Sequence, residues 1–388
     1  MKFSKRMSRL GSEGAFEVLA RARALEAQGK ELIHLELGEP DFETPKHISD
    51  ATVKALRDGH TRYGPAPGML EFREVIAENV SRSRGIDVRP EHVVVTPGGK
   101  PIMFFAILAL VDEGDEVIYP DPGFPIYESM IRFVGAKPVA LPLREEKEFG
   151  FDTDELAKLI TSKTRMIIIN SPENPTGGVL SKRDLEGIAD LTRGKNITIL
   201  SDEVYESILY EGKHESIASL PKMQEQTVIL NSFSKSYSMG GWRLGYGVMP
   251  VTLAEELTKL QINSTSCPND FIQYGGIAAL TSHQEDSLLM VQEFKRRRDI
   301  LVNGLNKIDG ITCLCPRGAF FVFPNVTKLE RRTQMNTNRL ADYLLERAGV
   351  AVIPGTAFGK YGKNHLRISY SNSEKNIQKA LANIRGCL

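Results

Sequence analysis

The strongest constraint on the fold is a series of seven short apolar segments from about residue 90 to 250, each followed by a polar or glycine-rich turn. Their centres are continuously apolar and β-branched, which indicates strands that are covered on both faces of a sheet. Helical patterns lie between several of them, and together they predict a mainly parallel, doubly wound sheet. The segments read HVVVTPGG, DEVIYPDPG, KPVALPL, RMIIINSPENPTGG, ITILSDEVY, TVILNSFSK and LGYGVMP.

The pattern changes after residue 280. A long amphipathic stretch at 281–307 predicts a helix, and it is followed by short strand patterns, a helical pattern at 337–349 and a last helix. We therefore predict an α/β protein with a three-layer α/β/α large domain, built on a mainly parallel seven-stranded sheet, at 46–280. A smaller α+β domain is predicted from both chain ends, 1–45 and 281–388; the 388 residues suffice for two domains.

Composition excludes several classes of partner. Lys+Arg and Asp+Glu both number 49, so no nucleic acid is expected as a partner. No run of 18 apolar residues and no secretory leader pattern are found, and no membrane association is expected. The four cysteines form no CxxC pair, which favours a reducing, cytoplasmic location. Cys313 and Cys315 have no histidine nearby in sequence, so no metal site is predicted.

Polar residues follow three of the predicted strands, at the edge where doubly wound sheets bind ligands. They are Asn174, Asp202 and Lys235, and Arg243 lies eight residues beyond the lysine. Each alone has an ordinary explanation: a turn, a helix N-cap or an exposed loop lysine. Upstream, VVVTPGGK places two glycines before a helical run, a pattern that suits a phosphate. Together these features match a phosphorylated pyridine aldehyde bound as an imine.

From about residue 30 to its end the chain resembles the pyridoxal-phosphate-dependent aminotransferases of fold type I, class I/II, the aspartate aminotransferase superfamily. The resemblance implies an enzyme that moves the amino group of an L-amino acid to a 2-oxo acid, with 2-oxoglutarate expected. The reaction would be ping-pong, through an internal aldimine on Lys235. The segments that carry the resemblance are LGEPDF, RYGPAPGMLEFREVIA, VTPGGK, NSPENPTGG, SDEVYE, SFSKSYSMGGWRLGY, GAFFVF, PGTAFG and HLRISYS.

The resemblance also implies roles around the pyridine ring. Lys235 carries the cofactor and then moves the substrate proton. Asp202 pairs with the ring nitrogen, so that the ring acts as an electron sink. Tyr205 and Asn174 contact the 3′-oxygen of the ring, and Phe124 stacks on its face. Lys235, Asp202 and Tyr205 are thus the expected catalytic residues.

Further implied contacts hold the cofactor phosphate and the substrate. The phosphate is expected on the backbone of Gly99 and Lys100 and on Ser232, Ser234 and Arg243, because an arginine fork suits phosphate oxygens. Substrate contacts are expected from Gly38, Phe124, Asn174 and Arg367, with Arg367 binding the α-carboxylate. Tyr63 is implied to reach the cofactor of a neighbouring subunit, which predicts a homodimer.

The donor amino acid is the least constrained feature. Residues 244–294 contain no arginine for a second carboxylate, and Lys259 is their only strong cation, whereas Phe16 offers an apolar contact. We therefore expect a neutral aromatic or aliphatic donor; an acidic donor stays open.

Two alternatives to an aminotransferase also remain. One is another pyridoxal phosphate reaction at the same site, by a racemase, lyase, decarboxylase or amine-oxidising enzyme. The other is a cofactor-binding regulator without catalysis.

Overall fold

A computed structural model describes residues 1–388. Its main sheet has seven strands in the order β2-β8-β7-β6-β5-β3-β4, and all pair in parallel except β8, which is antiparallel to both neighbours. All seven predicted segments lie in this sheet, so the predicted mainly parallel seven-stranded architecture is confirmed. The strands are β1 (Ile33–His34), β2 (Val93–Thr96), β3 (Glu116–Asp121), β4 (Lys137–Pro142), β5 (Thr164–Asn170), β6 (Thr198–Asp202), β7 (Thr227–Ser232), β8 (Gly245–Val248), β9 (Phe321–Val322), β10 (Val350–Ala351), β11 (Ile353–Pro354) and β12 (Leu366–Ser369).

Fourteen α-helices surround the sheets. They are α1 (Gly14–Glu26), α2 (Lys46–Arg57), α3 (Leu70–Arg84), α4 (Lys100–Leu110), α5 (Ile126–Val134), α6 (Thr153–Leu159), α7 (Lys182–Thr192), α8 (Phe233–Ser236), α9 (Val251–Thr265), α10 (Asp270–Thr281), α11 (Glu285–Leu305), α12 (Thr327–Thr333), α13 (Thr337–Tyr343) and α14 (Glu374–Cys387). None has the length and apolar character that a membrane crossing requires.

Local sequence signals account for several helix boundaries. Helix α7 begins with a capping box, in which Ser181 accepts from the Asp184 backbone and Asp184 accepts from the Ser181 backbone. The helix predicted at 281–307 begins only at Glu285, because α10 continues to Thr281. The helix predicted at 337–349 starts as α13 and ends in one π-helical turn, Leu344–Ala348.

The apolar core is divided between two regions. Three clusters of buried side chains cover the faces of the seven-stranded sheet. The largest cluster, of 31 buried residues, lies instead between α11, α14 and strands β9 and β12, and it includes Ile33 and Leu35 from the N-terminal part. Both chain ends thus share one core. The division at 46–280 and at 1–45 with 281–388 stays a prediction.

The sheet brings three strand ends level with one another. Strands β5, β6 and β7 are adjacent and parallel, with Asn170 opposite Asp202 and Asp202 opposite Leu230. Because the carboxyl ends of parallel strands meet at one edge, the turns that follow these strands face a common space. That edge positions the candidate active site.

Candidate active site

A cavity of about 480 Å³ lies at the carboxyl edge of the sheet, within the range of small-molecule sites. It brings together every predicted site residue except Tyr63, which lies outside the cavity with 88% of its surface exposed. The predicted residues that line it are Gly38, Gly99, Lys100, Phe124, Asn174, Asp202, Tyr205, Ser232, Ser234, Lys235, Arg243 and Arg367. Tertiary folding thus joins positions that are up to 329 residues apart, from Gly38 to Arg367.

Asp202 ends strand β6 with its carboxylate buried in the cavity wall. Burial raises its pKa to about 6, although a hydrogen bond from Tyr127 and one from the Val204 backbone favour the ionised form. Tyr127 Oη donates to Oδ2 over 2.6 Å. Sequence reasoning missed Tyr127, which lies in the first turn of α5, three residues after Phe124.

No helix follows Asp202. The backbone turns tightly instead, with Glu206 N–H donating to Glu203 over 2.9 Å and Ile208 N–H to Tyr205 over 2.8 Å. Tyr205 still lines the cavity and is buried, and this burial raises the pKa of its hydroxyl. Its orientation therefore comes from the turn and not from helical spacing.

Asn170 holds the turn that carries Asn174, and the sequence reading did not single it out. Its side chain donates to the Asp202 carbonyl over 2.9 Å and accepts from the Asn174 N–H over 3.0 Å. In the same turn, Glu173 accepts from the backbone and hydroxyl of Thr176. Asn170 is the last residue of β5, and polar residues at the carboxyl ends of such strands are expected to lie at the ligand site. Its position in the sequence could therefore have identified it as a site residue.

Lys235 lies in the short helix α8, and its Nζ donates to the Gly38 carbonyl. Removal of the amine from solvent lowers its pKa to about 8; Arg367 and Lys100 act in the same direction, while Glu39 and Glu13 oppose the shift. An amine with this pKa is partly neutral near pH 7.5. It can therefore act as a nucleophile and carry a proton.

Gly98, Gly99 and Arg243 form a compact anion cradle with two serines. Gly98 has φ +86°, a left-handed conformation that favours glycine, and a Cβ there would stand 2.2 Å from Arg243 Nη2 and displace the guanidinium. Gly99 precedes α4, and the backbone N–H groups of Gly99 and Lys100 have no acceptor within the protein, so both are available to an anion. The hydroxyls of Ser232 and Ser234 lie 2.9 Å apart in the same cavity wall.

Arg367 is a buried cation without a carboxylate partner. It is 4% exposed; Nη1 donates to Asn174 Oδ1 over 3.2 Å, and Nη2 donates to the Glu36 carbonyl. Its Nε has no hydrogen-bond partner in the protein, and burial lowers its pKa to about 10. An unpaired buried donor is costly, so this side chain is suited to the carboxylate of a ligand.

The outer wall combines apolar and paired charged groups. Phe16 and Leu37 line it, and the Lys100 ammonium lies 5.3 Å from the centroid of Phe124 and forms an ion pair with Glu13. Sequence reasoning expected only the backbone of Lys100 at the site. It missed Glu13, which lies 87 positions away.

The residues around the cavity fit pyridoxal phosphate. The anion cradle suits the phosphate, the buried Asp202 carboxylate suits a protonated ring nitrogen, and the Lys235 amine suits the aldehyde. These three groups face one cavity from the carboxyl ends of β6 and β7, the turn before α4 and the turn before β8. The donor set thus contains a complement for the phosphate, the ring nitrogen and the aldehyde of that molecule.

Comparison with known proteins gives a consistent result. Residues 30–384 match the family model "Aminotransferase class I and II". The chain is 38% identical to the aspartate aminotransferase of Geobacillus stearothermophilus, over 99% of this chain and 98% of that one. It is 40% identical to aromatic-amino-acid aminotransferase 2 of Thermococcus litoralis, over 92% and 91%. A solved structure of Thermus thermophilus aspartate aminotransferase with maleate has a TM-score of 0.94 and 37% identity, with both chains fully covered.

Proposed function

The chain belongs to the class I and II aminotransferase family, and from this premise we propose which residues of the cavity perform amino-group transfer. The chain is a pyridoxal-phosphate-dependent aminotransferase that acts between an L-amino acid and a 2-oxo acid. The observation that carries the residue assignment is that Lys235, Asp202 and Arg367 line one cavity.

Lys235 is assigned as the attachment point of the cofactor and as the proton carrier. Bound pyridoxal phosphate supplies an electron sink that stabilises negative charge on the substrate Cα. The Lys235 amine, with its pKa lowered to about 8, accepts the proton from Cα and delivers it during the same half-reaction. Its hydrogen bond to the Gly38 carbonyl orients the amine.

Asp202 and the anion cradle are assigned to hold the cofactor at its two ends. Asp202 is ionised above pH 6 and would bind the protonated ring nitrogen, with Tyr127 fixing the carboxylate by its 2.6 Å hydrogen bond. Arg243, the serines Ser232 and Ser234, and the N-terminus of α4 would hold the phosphate at the opposite end. Phe124 would cover a face of the ring.

Arg367 is assigned to the α-carboxylate that all amino acid and 2-oxo acid substrates share. For the donor we propose a neutral aromatic or aliphatic side chain, contacting Phe16 and Leu37. A donor of this kind leaves the ion pair between Glu13 and Lys100 intact. A dicarboxylic acceptor such as 2-oxoglutarate would instead draw Lys100 away from Glu13. The relatives named above include both aspartate and aromatic aminotransferases.

The oligomeric state and location are proposed on separate grounds. Tyr63 exposes most of its ring outside the cavity, and an exposed aromatic of this size suits a contact with a second copy of the chain. We propose a homodimer in which Tyr63 reaches the neighbouring cavity. All four cysteines are free thiols, which agrees with a proposed cytoplasmic location.

A donor panel tests the proposed substrate class. The loaded enzyme is supplied with phenylalanine, leucine, alanine or aspartate and 2-oxoglutarate, and each oxo acid product is quantified. We expect kcat/KM to be highest for phenylalanine or leucine. A hundredfold preference for aspartate would contradict the proposed donor class. Conversion of the cofactor to its pyridoxamine form by donor alone checks the transamination chemistry independently, because racemases and lyases do not accumulate that form.

A further inference from the structure

A group of metal-ligand side chains lies outside the active-site cavity. It consists of His47, His283 and Asp286, and one ligand atom from each lies within 4.8 Å of the other two. They come from the first turn of α2, the turn between α10 and α11, and the first turn of α11. The expectation of no metal site was based on the surroundings of Cys313 and Cys315. His283 and Asp286 are three positions apart, but His47 lies 236 positions before His283, so no local spacing motif includes all three.

The distances within the group suit metal coordination better than hydrogen bonding. His47 Nδ1 and Asp286 Oδ2 are 3.6 Å apart, beyond normal hydrogen-bond length. The two imidazole centroids are 4.6 Å apart, and their planes are tilted by 49°. Tetrahedral Zn²⁺ with bonds of 2.0–2.1 Å holds adjacent ligand atoms about 3.3 Å apart. Small side-chain rotations would therefore bring the three ligands to a common ion.

We propose that His47, His283 and Asp286 bind one divalent transition-metal ion of the Zn²⁺, Co²⁺ or Ni²⁺ type. Two imidazoles favour these ions over Mg²⁺ and Ca²⁺, which prefer oxygen ligands. His283 and Asp286 are exposed and His47 is partly buried, so an ion can enter from solvent and retain a water as its fourth ligand.

A second group of carboxylate and imidazole side chains differs from this one in having a cationic side chain beside it. Glu203, Glu206 and His214 also lie within reach of one another. There, however, the buried Arg84 guanidinium contacts both carboxylates and already supplies the positive charge. No arginine or lysine forms an ion pair with Asp286, whose only ion-pair partner is His47. The available cation position is therefore at His47, His283 and Asp286.

Metal binding at this site would tie α2 to the beginning of α11. Ser287, adjacent to Asp286, donates to the Ser236 carbonyl over 3.0 Å, and Ser236 directly follows Lys235. The ion would thus stabilise a junction behind the lysine turn without contacting the cavity. Because an ion that binds only the folded chain stabilises it by mass action, the melting temperature should rise with free metal concentration.

The test uses full-length, cofactor-loaded protein without amino acid substrate. Zn²⁺ binding is measured by calorimetry, and Co²⁺ binding by its visible absorption bands. The variants are His283→Ala and Asp286→Asn. Glu285→Gln is the matched control, because it removes one negative charge from the same exposed helix turn but no ligand. Melting temperatures without metal verify that each variant folds.

We expect one equivalent of metal per chain, with Co²⁺ bands typical of nitrogen and oxygen ligands and no thiolate charge-transfer band. His283→Ala and Asp286→Asn should weaken binding about tenfold or more and abolish the metal-dependent rise in melting temperature. Glu285→Gln should bind like the unaltered chain. Absence of stoichiometric binding, or equal affinity in all variants, would overturn the proposal.

Discussion

The hydroxyl of Tyr127 donates a 2.6 Å hydrogen bond to Oδ2 of Asp202, and both side chains are buried in the wall of the active-site cavity. The bond favours the ionised carboxylate against the effect of burial. A residue that no sequence pattern identifies thus favours the ionised form of a proposed catalytic group.

Replacing Tyr127 with phenylalanine should lower kcat and raise the pKa of Asp202. A hydrogen bond to a charged group contributes about 1.5–3 kcal/mol, so we expect kcat to fall about tenfold to a hundredfold. The acidic limb of the kcat/KM profile should move to higher pH, because the carboxylate loses a donor that favours its ionised form. Steady-state kinetics between pH 5 and 9 measure both effects.

Tyr210→Phe is the matched control, since it removes a buried hydroxyl that bonds to Ala319 outside the cavity. It should leave the acidic limb in place. An unchanged acidic limb in Tyr127→Phe would show that the hydrogen bond does not tune Asp202.

Asp202 should make the stability of the cofactor-free protein depend on pH. Its pKa of about 6 in the folded chain lies above the ordinary aspartate value of 3.8, so the folded chain binds more protons than the unfolded chain between these pH values. The free energy of unfolding from this group therefore falls as pH rises from 4 to 6, by an amount on the order of 3 kcal/mol. Urea denaturation of the unaltered chain and of Asp202→Asn at several pH values isolates this contribution.

The asparagine variant should show a flatter dependence over that interval. Lys235 does not interfere in this interval. Its pKa is lowered to about 8, so its contribution to the free energy of unfolding changes only above that pH, where it rises with pH. The same slope in both proteins would contradict the assigned Asp202 pKa.

Arg367→Gln should reduce kcat/KM by about a hundredfold or more for both the amino acid and the oxo acid, because both share the carboxylate that this side chain binds. The loss should lie mainly in KM. Arg367→Lys keeps the charge but not the planar fork, and should recover only part of the activity. Arg317→Gln, at a partly exposed arginine outside the cavity, serves as control. A loss confined to one of the two substrates would contradict a shared carboxylate site.

Glu13→Gln should shift donor preference towards acidic amino acids. The substitution removes the carboxylate that pairs with Lys100, which leaves an uncompensated ammonium at the outer wall of the cavity. We expect kcat/KM for aspartate relative to phenylalanine to rise about tenfold. Glu17→Gln, one helical turn further along α1 and outside the cavity, should leave this ratio of kcat/KM values unchanged. An unaltered ratio in Glu13→Gln would show that Lys100 does not contact the donor side chain.

Much of the fold and of the candidate site was predictable because the responsible signals are local. The seven apolar segments are the seven strands, and the residues at their carboxyl ends, including Asn174, Asp202 and Lys235, line one cavity. Asn170 was predictable by the same rule.

Other features depend on which side chains tertiary folding brings together. Tyr127 reaches Asp202 across 75 positions, and Glu13 reaches Lys100 across 87. Neither pair has a periodicity or a motif that identifies it in the sequence. The turn at Tyr205 was also hidden, because the same residues are compatible with a helix that begins at Asp202.

The central claim is that Lys235 carries the cofactor. The protein is incubated with pyridoxal phosphate and reduced with borohydride, and the modified lysine is identified by peptide mass spectrometry. We predict a single stoichiometric adduct on Lys235, and neither adduct nor transamination in Lys235→Ala. Lys100→Ala should retain the adduct. An adduct on another lysine, or transamination that survives in Lys235→Ala, would contradict the account.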